Sequence, residues 1–104
     1  GQAQVLLKQN QASVTTGITK TAVINCVGEG ISNFKNAIIH WYRQRPSEGP
    51  QRILFISSGK ASYDNESHKD KYRCWKEGTN ICKFSVNDIH SSDEGTYFCA
   101  YWEY

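Results

Sequence analysis

Apolar and polar residues alternate with a period of two in short runs, and turn-forming residues separate the runs, a pattern that predicts strands rather than helices. In the stretch TAVINCV, Ala22, Ile24 and Cys26 share one face while Thr21, Val23 and Asn25 share the other, as on a half-buried strand. AIIHWYRQ predicts a second strand, with Ile39, Trp41 and Arg43 inward and His40, Tyr42 and Gln44 outward. Pro46 and Gly49 mark the turn that follows, one fixing φ and the other freeing it. RILFIS predicts a third strand, SSGKASYDNES a loop centred on Gly59, KYRCW and NICKFSV the arms of a hairpin, and TYFCAYW a last strand. No helix longer than a turn, no internal repeat and no low-complexity linker is predicted. The fold class is all-β.

Length narrows this to one unit: 104 residues build a single modest core, so residues 1–104 are expected to be one domain. Twelve basic against ten acidic residues give a net charge of only +2 without a basic run, which argues against nucleic acid and anionic membrane as partners. No apolar stretch reaches the roughly 20 residues of a membrane span, and the start, GQAQVLLKQN, lacks a secretory signal's apolar core. A processed chain or an excised domain is expected. Four cysteines at no zinc-finger spacing favour disulfides and an oxidising compartment.

Cys26, Trp41 and Cys99 arrange the strands when taken together. A bridge between the two cysteines would close most of the chain into one loop, contributing about 4 to 5 kcal/mol, and the inward Trp41 would pack on it between two sheets. Asp93-x-Gly95-x-Tyr97-x-Cys99 places a tyrosine two residues before the second cysteine, the spacing of a tyrosine corner.

With these residues, and with INCV, IHWYRQRP, SVNDIHSSDEGTYFC and the terminal AYWEY, the whole chain resembles the immunoglobulin variable-type domain. Within that family, IHWYRQ followed by CAYWE is similar to the variable segment of T-cell receptor gamma chains. The resemblance implies a Greek-key sandwich of two antiparallel sheets. It also implies a joining strand carrying Phe-Gly-x-Gly, which does not occur in these residues, so an open edge is expected beside the strand of Phe98.

The resemblance makes the outer sheet face with Tyr42, Gln44 and Phe98, and with Pro50 and Leu54 nearby, the surface that pairs with a second variable domain of delta type. Ligand, a protein or lipid antigen, would meet three loops at one end of the sandwich, approximately 29–37, 57–63 and the residues after Ala100. Phe34, Lys35 and Asn36, then Ser58, Lys60 and Tyr63, then Tyr101, Trp102, Glu103 and Tyr104 are the expected contacts, the aromatics offering large area at low entropy cost. The full-length chain would be anchored in the membrane outside this segment, with the domain on the extracellular face of the cell surface. A runner-up of a different class is a germline-encoded adhesion or regulatory module that binds a protein in trans, or itself, through the same sheet face.

Cys74 and Cys82 depart from the common pattern. Each lies four residues from Gly78, so they are expected to face each other across the hairpin, inward, as a second, intrasheet disulfide. A metal site with His68 or His90 lacks ligand spacing, and neither a metal nor a cofactor is expected. Arg43 has inward parity and needs a partner; Asp93 is the expected one, with Lys71 joining. Asn65-Glu66-Ser67 is a glycosylation sequon in a loop. No phosphate loop, nucleophile elbow or HExxH occurs, and His90, Ser91, Ser92 and Asp93 are neighbours in sequence rather than a triad, so an enzyme is not expected.

Overall fold

The computed structural model describes residues 7–9, 12–14 and 21–102. Nine strands run through them: β1 (Leu7–Gln9), β2 (Ala12–Val14), β3 (Ala22–Gly28), β4 (Ile39–Gln44), β5 (Gln51–Ser57), β6 (Lys60–Tyr63), β7 (Tyr72–Glu77), β8 (Ile81–Val86) and β9 (Gly95–Ala100). They form two antiparallel sheets, one ordered β1-β3-β8-β7 and the other β2-β9-β4-β5-β6. The helical elements among the described residues are single 3-10 turns at Phe34–Asn36, Glu66–His68 and Ser91–Asp93.

Strand alternation sets the core. Ile24 and Cys26 of β3, Ile39 and Trp41 of β4, Phe84 and Val86 of β8 and Tyr97 and Cys99 of β9 point between the sheets, whereas Val23 is 53% exposed. Cys26 and Cys99 are joined by a disulfide that ties the two sheets together. Trp41 is fully buried, lies opposite Cys99 in the ladder and stacks on Phe84 with ring centroids 4.8 Å apart. The Tyr97 hydroxyl donates to the Asp93 carbonyl at 2.7 Å, which anchors the turn before β9 to the sandwich, and burial pushes the phenol's pKa well above its ordinary value. Gly95 is required in that turn: its φ is +153°, and a Cβ would lie 2.8 Å from the Gln44 carbonyl oxygen.

Three expectations about the strands are corrected. The stretch read as a loop around Gly59 contains β6, which pairs with β5 across a tight turn at Ser58 and Gly59. Leu54 is not on the outer face. Its ladder partner is Trp41, but Tyr42 then pairs with Arg52, so Ile53 is an extra residue in β5 and both Ile53 and Leu54 are buried. The edge beside the Phe98 strand is not open along its whole length, because β2 pairs with Gly95, Thr96 and Tyr97 of β9.

Candidate recognition site

The bulge in β5 re-aims its side chains, so Arg52 and Phe55 join His40, Tyr42, Gln44 and Phe98 on the outer face of the five-stranded sheet. Tyr42 and Phe98, directly opposite in the ladder, stack with centroids 5.4 Å apart and planes within 11°. His40 lies 5.9 Å from Phe55 and 5.8 Å from Trp102, so an aromatic strip crosses the face from the loop end to its middle. Arg52 sits over the Phe55 ring at 4.9 Å and grips Asp64 bidentately at 2.7 and 2.8 Å, which holds the Asp64 carboxyl below its ordinary pKa. It also donates to His40 Nδ1 at 3.3 Å; a guanidinium cannot accept, so His40 carries its proton on Nε2. Burial first, then the Arg52 charge, lower the His40 pKa against an opposing pull from Asp64. At the loop end Ile38 is 46% and Trp102 51% exposed, and with Ala37, Tyr101 and the His40–Phe55 floor they border a groove of about 500 Å³. Gln44 and Pro50 are exposed farther along the sheet.

The three expected loops do gather at this end, since β3 runs into the first, β5 into the second and β9 into the third. Not every residue in them faces outward. Phe34 is 4% exposed and belongs to the core, where it covers Gly28: a Cβ on that glycine would lie 2.5 Å from the Phe34 ring. Tyr63 is on β6 and its hydroxyl donates to the Tyr72 carbonyl at 2.6 Å, so it ties β6 to β7, which lies in the other sheet. Lys35, Asn36, Ser58 and Lys60 are exposed, and Ser58 Oγ donates to Asn36 Oδ1 at 2.9 Å, linking the first loop to the second. Tyr101 is half-buried against the core. Glu103 and Tyr104 lie outside the described residues.

Lys76 is a residue with no signal in the sequence. Its ammonium donates to the carbonyls of Phe34 at 2.8 Å, Lys35 at 2.9 Å and Ala37 at 2.5 Å and lies 5.2 Å from the Phe34 ring centroid. Three acceptors match its three protons, so the side chain closes the end of the first loop's 3-10 turn from beneath. Lys76→Met keeps the stem and removes the donors; it should cost about 2 kcal/mol, with faster amide exchange in residues 33–37 as the local signature. Unchanged exchange there would show that Phe34 packing alone holds the loop.

Residues 9–104 match the sequence pattern of the Immunoglobulin V-set domain. The chain belongs to the immunoglobulin V-set family. It is also related to T-cell receptor gamma variable regions. It is 30% identical over 100 residues to the human "T cell receptor gamma variable 8", covering 93% of this chain and 81% of that protein. It is 29% identical over 97 residues to the mouse "T-cell receptor gamma chain V region V108B", covering 92% of this chain and 83% of that one. Identity to the human "Probable non-functional T cell receptor gamma variable 10" is 26% over 100 residues, with 93% and 83% covered.

Within this V-set domain the polar tie beneath the sandwich keeps its expected Lys71–Asp93 member but not the Arg43 one. Arg43 does not pair with Asp93; it donates to the Tyr72 hydroxyl at 3.2 Å. Asp93, 3% exposed, accepts from Lys71 Nζ at 2.6 Å and from the His90 backbone at 2.7 Å. Cys74 and Cys82 are not directly opposite, because Glu77 pairs with Ile81 and the turn therefore centres on Thr79 rather than Gly78. Cys74 faces Phe84 and Cys82 faces Lys76, which leaves the two thiols diagonal, unbonded, with Sγ atoms 3.6 Å apart. Asn65 caps the turn at Glu66–His68, its side-chain oxygen accepting from the Ser67 amide and hydroxyl. No helix among the described residues is long and apolar enough to cross a membrane.

Proposed function

We propose that this is the variable domain of a T-cell receptor gamma-like chain. It pairs with a delta-like variable domain through the outer face of its five-stranded sheet and meets a protein or lipid antigen with the loops at the adjoining end. The observation that carries the pairing half is the Tyr42–Phe98 stack flanked by Gln44, an aromatic and amide patch on a face that the described residues leave uncovered. Gln44 donates to the Glu48 carbonyl at 3.0 Å, which orients its amide and leaves the oxygen to accept from a partner. On the ligand side, Trp102, Lys35 and Lys60 offer an exposed ring and two cations at one end. As a receptor module it acts by binding rather than by catalysis, at the cell surface, with any anchor lying outside this segment.

Co-expression with a panel of delta-type variable chains tests the reading. A heterodimer is expected with at least one of them, and Tyr42→Ala should weaken it about 30-fold, the loss of a central aromatic worth about 2 kcal/mol, with Gln44→Ala weaker in effect. Failure to pair with every delta chain, with self-association lost in Tyr42→Ala, would move the assignment to an adhesion module that binds itself. Asn65 should carry glycan on chain secreted from a eukaryotic host: removal by an asparagine-glycan amidase lowers the mass, and Asn65→Gln abolishes the difference. An unchanged mass would remove Asn65 from the modified sites.

A further inference from the structure

We infer that Cys74 and Cys82 are a second cross-link site, which closes into an intrasheet disulfide under the oxidising conditions that join Cys26 to Cys99. The thiols are already 3.6 Å apart on neighbouring strands of one hairpin, and since diagonal neighbours are spaced about 7–8 Å, joining them asks for a local shift of the hairpin backbone with the side chains, not a rearrangement of the sheets. Their exposures differ in a way that orders the chemistry. Cys82 is fully buried, whereas Cys74 is half-buried and reachable from the surface.

An incoming disulfide of the small-thiol or thiol-oxidoreductase class, RSSR, therefore meets Cys74 first. Cys74, whose contact with Cys82 and burial hold its thiol protonated, gives up that proton to solvent as it attacks one sulfur of RSSR; the S–S bond breaks and RS− leaves, taking up a proton as RSH. Cys82 then attacks the Cys74 sulfur of that mixed disulfide and expels the second RSH. Two thiols have become one disulfide, and RSSR has taken up both electrons and both protons. Cys82 is equipped for the second step: Trp41 Nε1 donates to its sulfur at 3.5 Å, and Lys76, its ladder partner, brings an ammonium to the same strand pair. The contact with Cys74 first, then these two, lower the Cys82 pKa against the opposing effect of its burial.

The competing choice is Cys26, which is the ladder partner of Cys82 on its other side. That pairing would take Cys26 away from Cys99 and with it the bridge between the sheets. With Cys26 held in the bridge to Cys99, Cys74 is the thiol left beside Cys82. Lys76 sits between Cys74 and Cys82 in sequence, so the cross-link also braces the strand that carries the clamp under the first loop.

The test uses the intact chain, secreted and purified without reductant, denatured in the presence of a maleimide and weighed whole. No maleimide adduct is expected, and a non-reducing tryptic digest should contain Cys74-Trp75-Lys76 linked to the peptide 77–83. Cys74→Ser should then expose a single alkylatable thiol at Cys82 with the Cys26–Cys99 peptide pair intact. Two adducts, on Cys74 and Cys82, in the unaltered chain would overturn the inference, as would recovery of Cys82 linked to Cys26.

Discussion

Replacing Cys26 and Cys99 together by alanine should lower the unfolding free energy by about 4 to 5 kcal/mol, the size of the loop-closure entropy that so long a ring withholds from the unfolded chain. The bridge spans 73 residues of sequence. Natural domains are stable by only about 5 to 15 kcal/mol, so the variant should be marginal at body temperature. Packing adds to the loss: Trp41 and the buried Cys82 both adjoin the bridge, and the space left by two sulfurs is bordered by side chains already stacked in fixed geometry. Denaturant unfolding of the two chains, with the reduced unaltered chain as a third sample, gives the number. A loss below about 2 kcal/mol would assign the hold between the sheets to the Trp41, Phe84 and Tyr97 packing instead.

Parity along a strand was legible and register between strands was not. Cys26, Trp41, Tyr97 and Cys99 lie in regular alternation, so each could be placed facing inward from its own strand alone. Leu54 could not, because Ile-Leu-Phe-Ile is a continuous apolar run and a bulge opposite Trp41 shifts which of its members face out. A bulge depends on the partner strand and leaves no mark in its own. Similarly, a turn centre displaced by one residue, from Gly78 to Thr79, converts two facing cysteines into a diagonal pair.

The recognition site was readable to the same degree. Tyr42, Gln44 and Phe98 follow from alternation on strands whose inward residues are unmistakable, but His40, Arg52 and Phe55 join them only once the bulge is known. Loop residues fared worse because a loop has no period. Phe34 is drawn inward by the space above Gly28, and Lys76 reaches the first loop from β7, more than 30 residues away in sequence. Contacts of that kind are set by how the sheets sit, not by neighbouring residues.

Asp93 carries the second large prediction, since its carboxylate is buried and, of the two cations expected beside it, Lys71 pairs with it and Arg43 does not. Asp93→Ala should cost about 3 kcal/mol. Removing one member of a buried pair costs about 3 to 5 kcal/mol, and the lower figure applies because the Lys71 side chain is 24% exposed and can turn toward water. The His90 amide also loses its acceptor, while the Tyr97 hydroxyl keeps the Asp93 backbone carbonyl and with it the tyrosine corner. The stability change therefore reads the side chain, not the turn. A double-mutant cycle with Lys71→Met should give a coupling of about 1 to 3 kcal/mol, and the cycle with Arg43→Gln about zero, because Arg43 is spent on Tyr72. If Arg43 couples to Asp93 more strongly than Lys71 does, the charge beneath the sandwich is held by the guanidinium, and the Lys71 contact is only a surface neighbour.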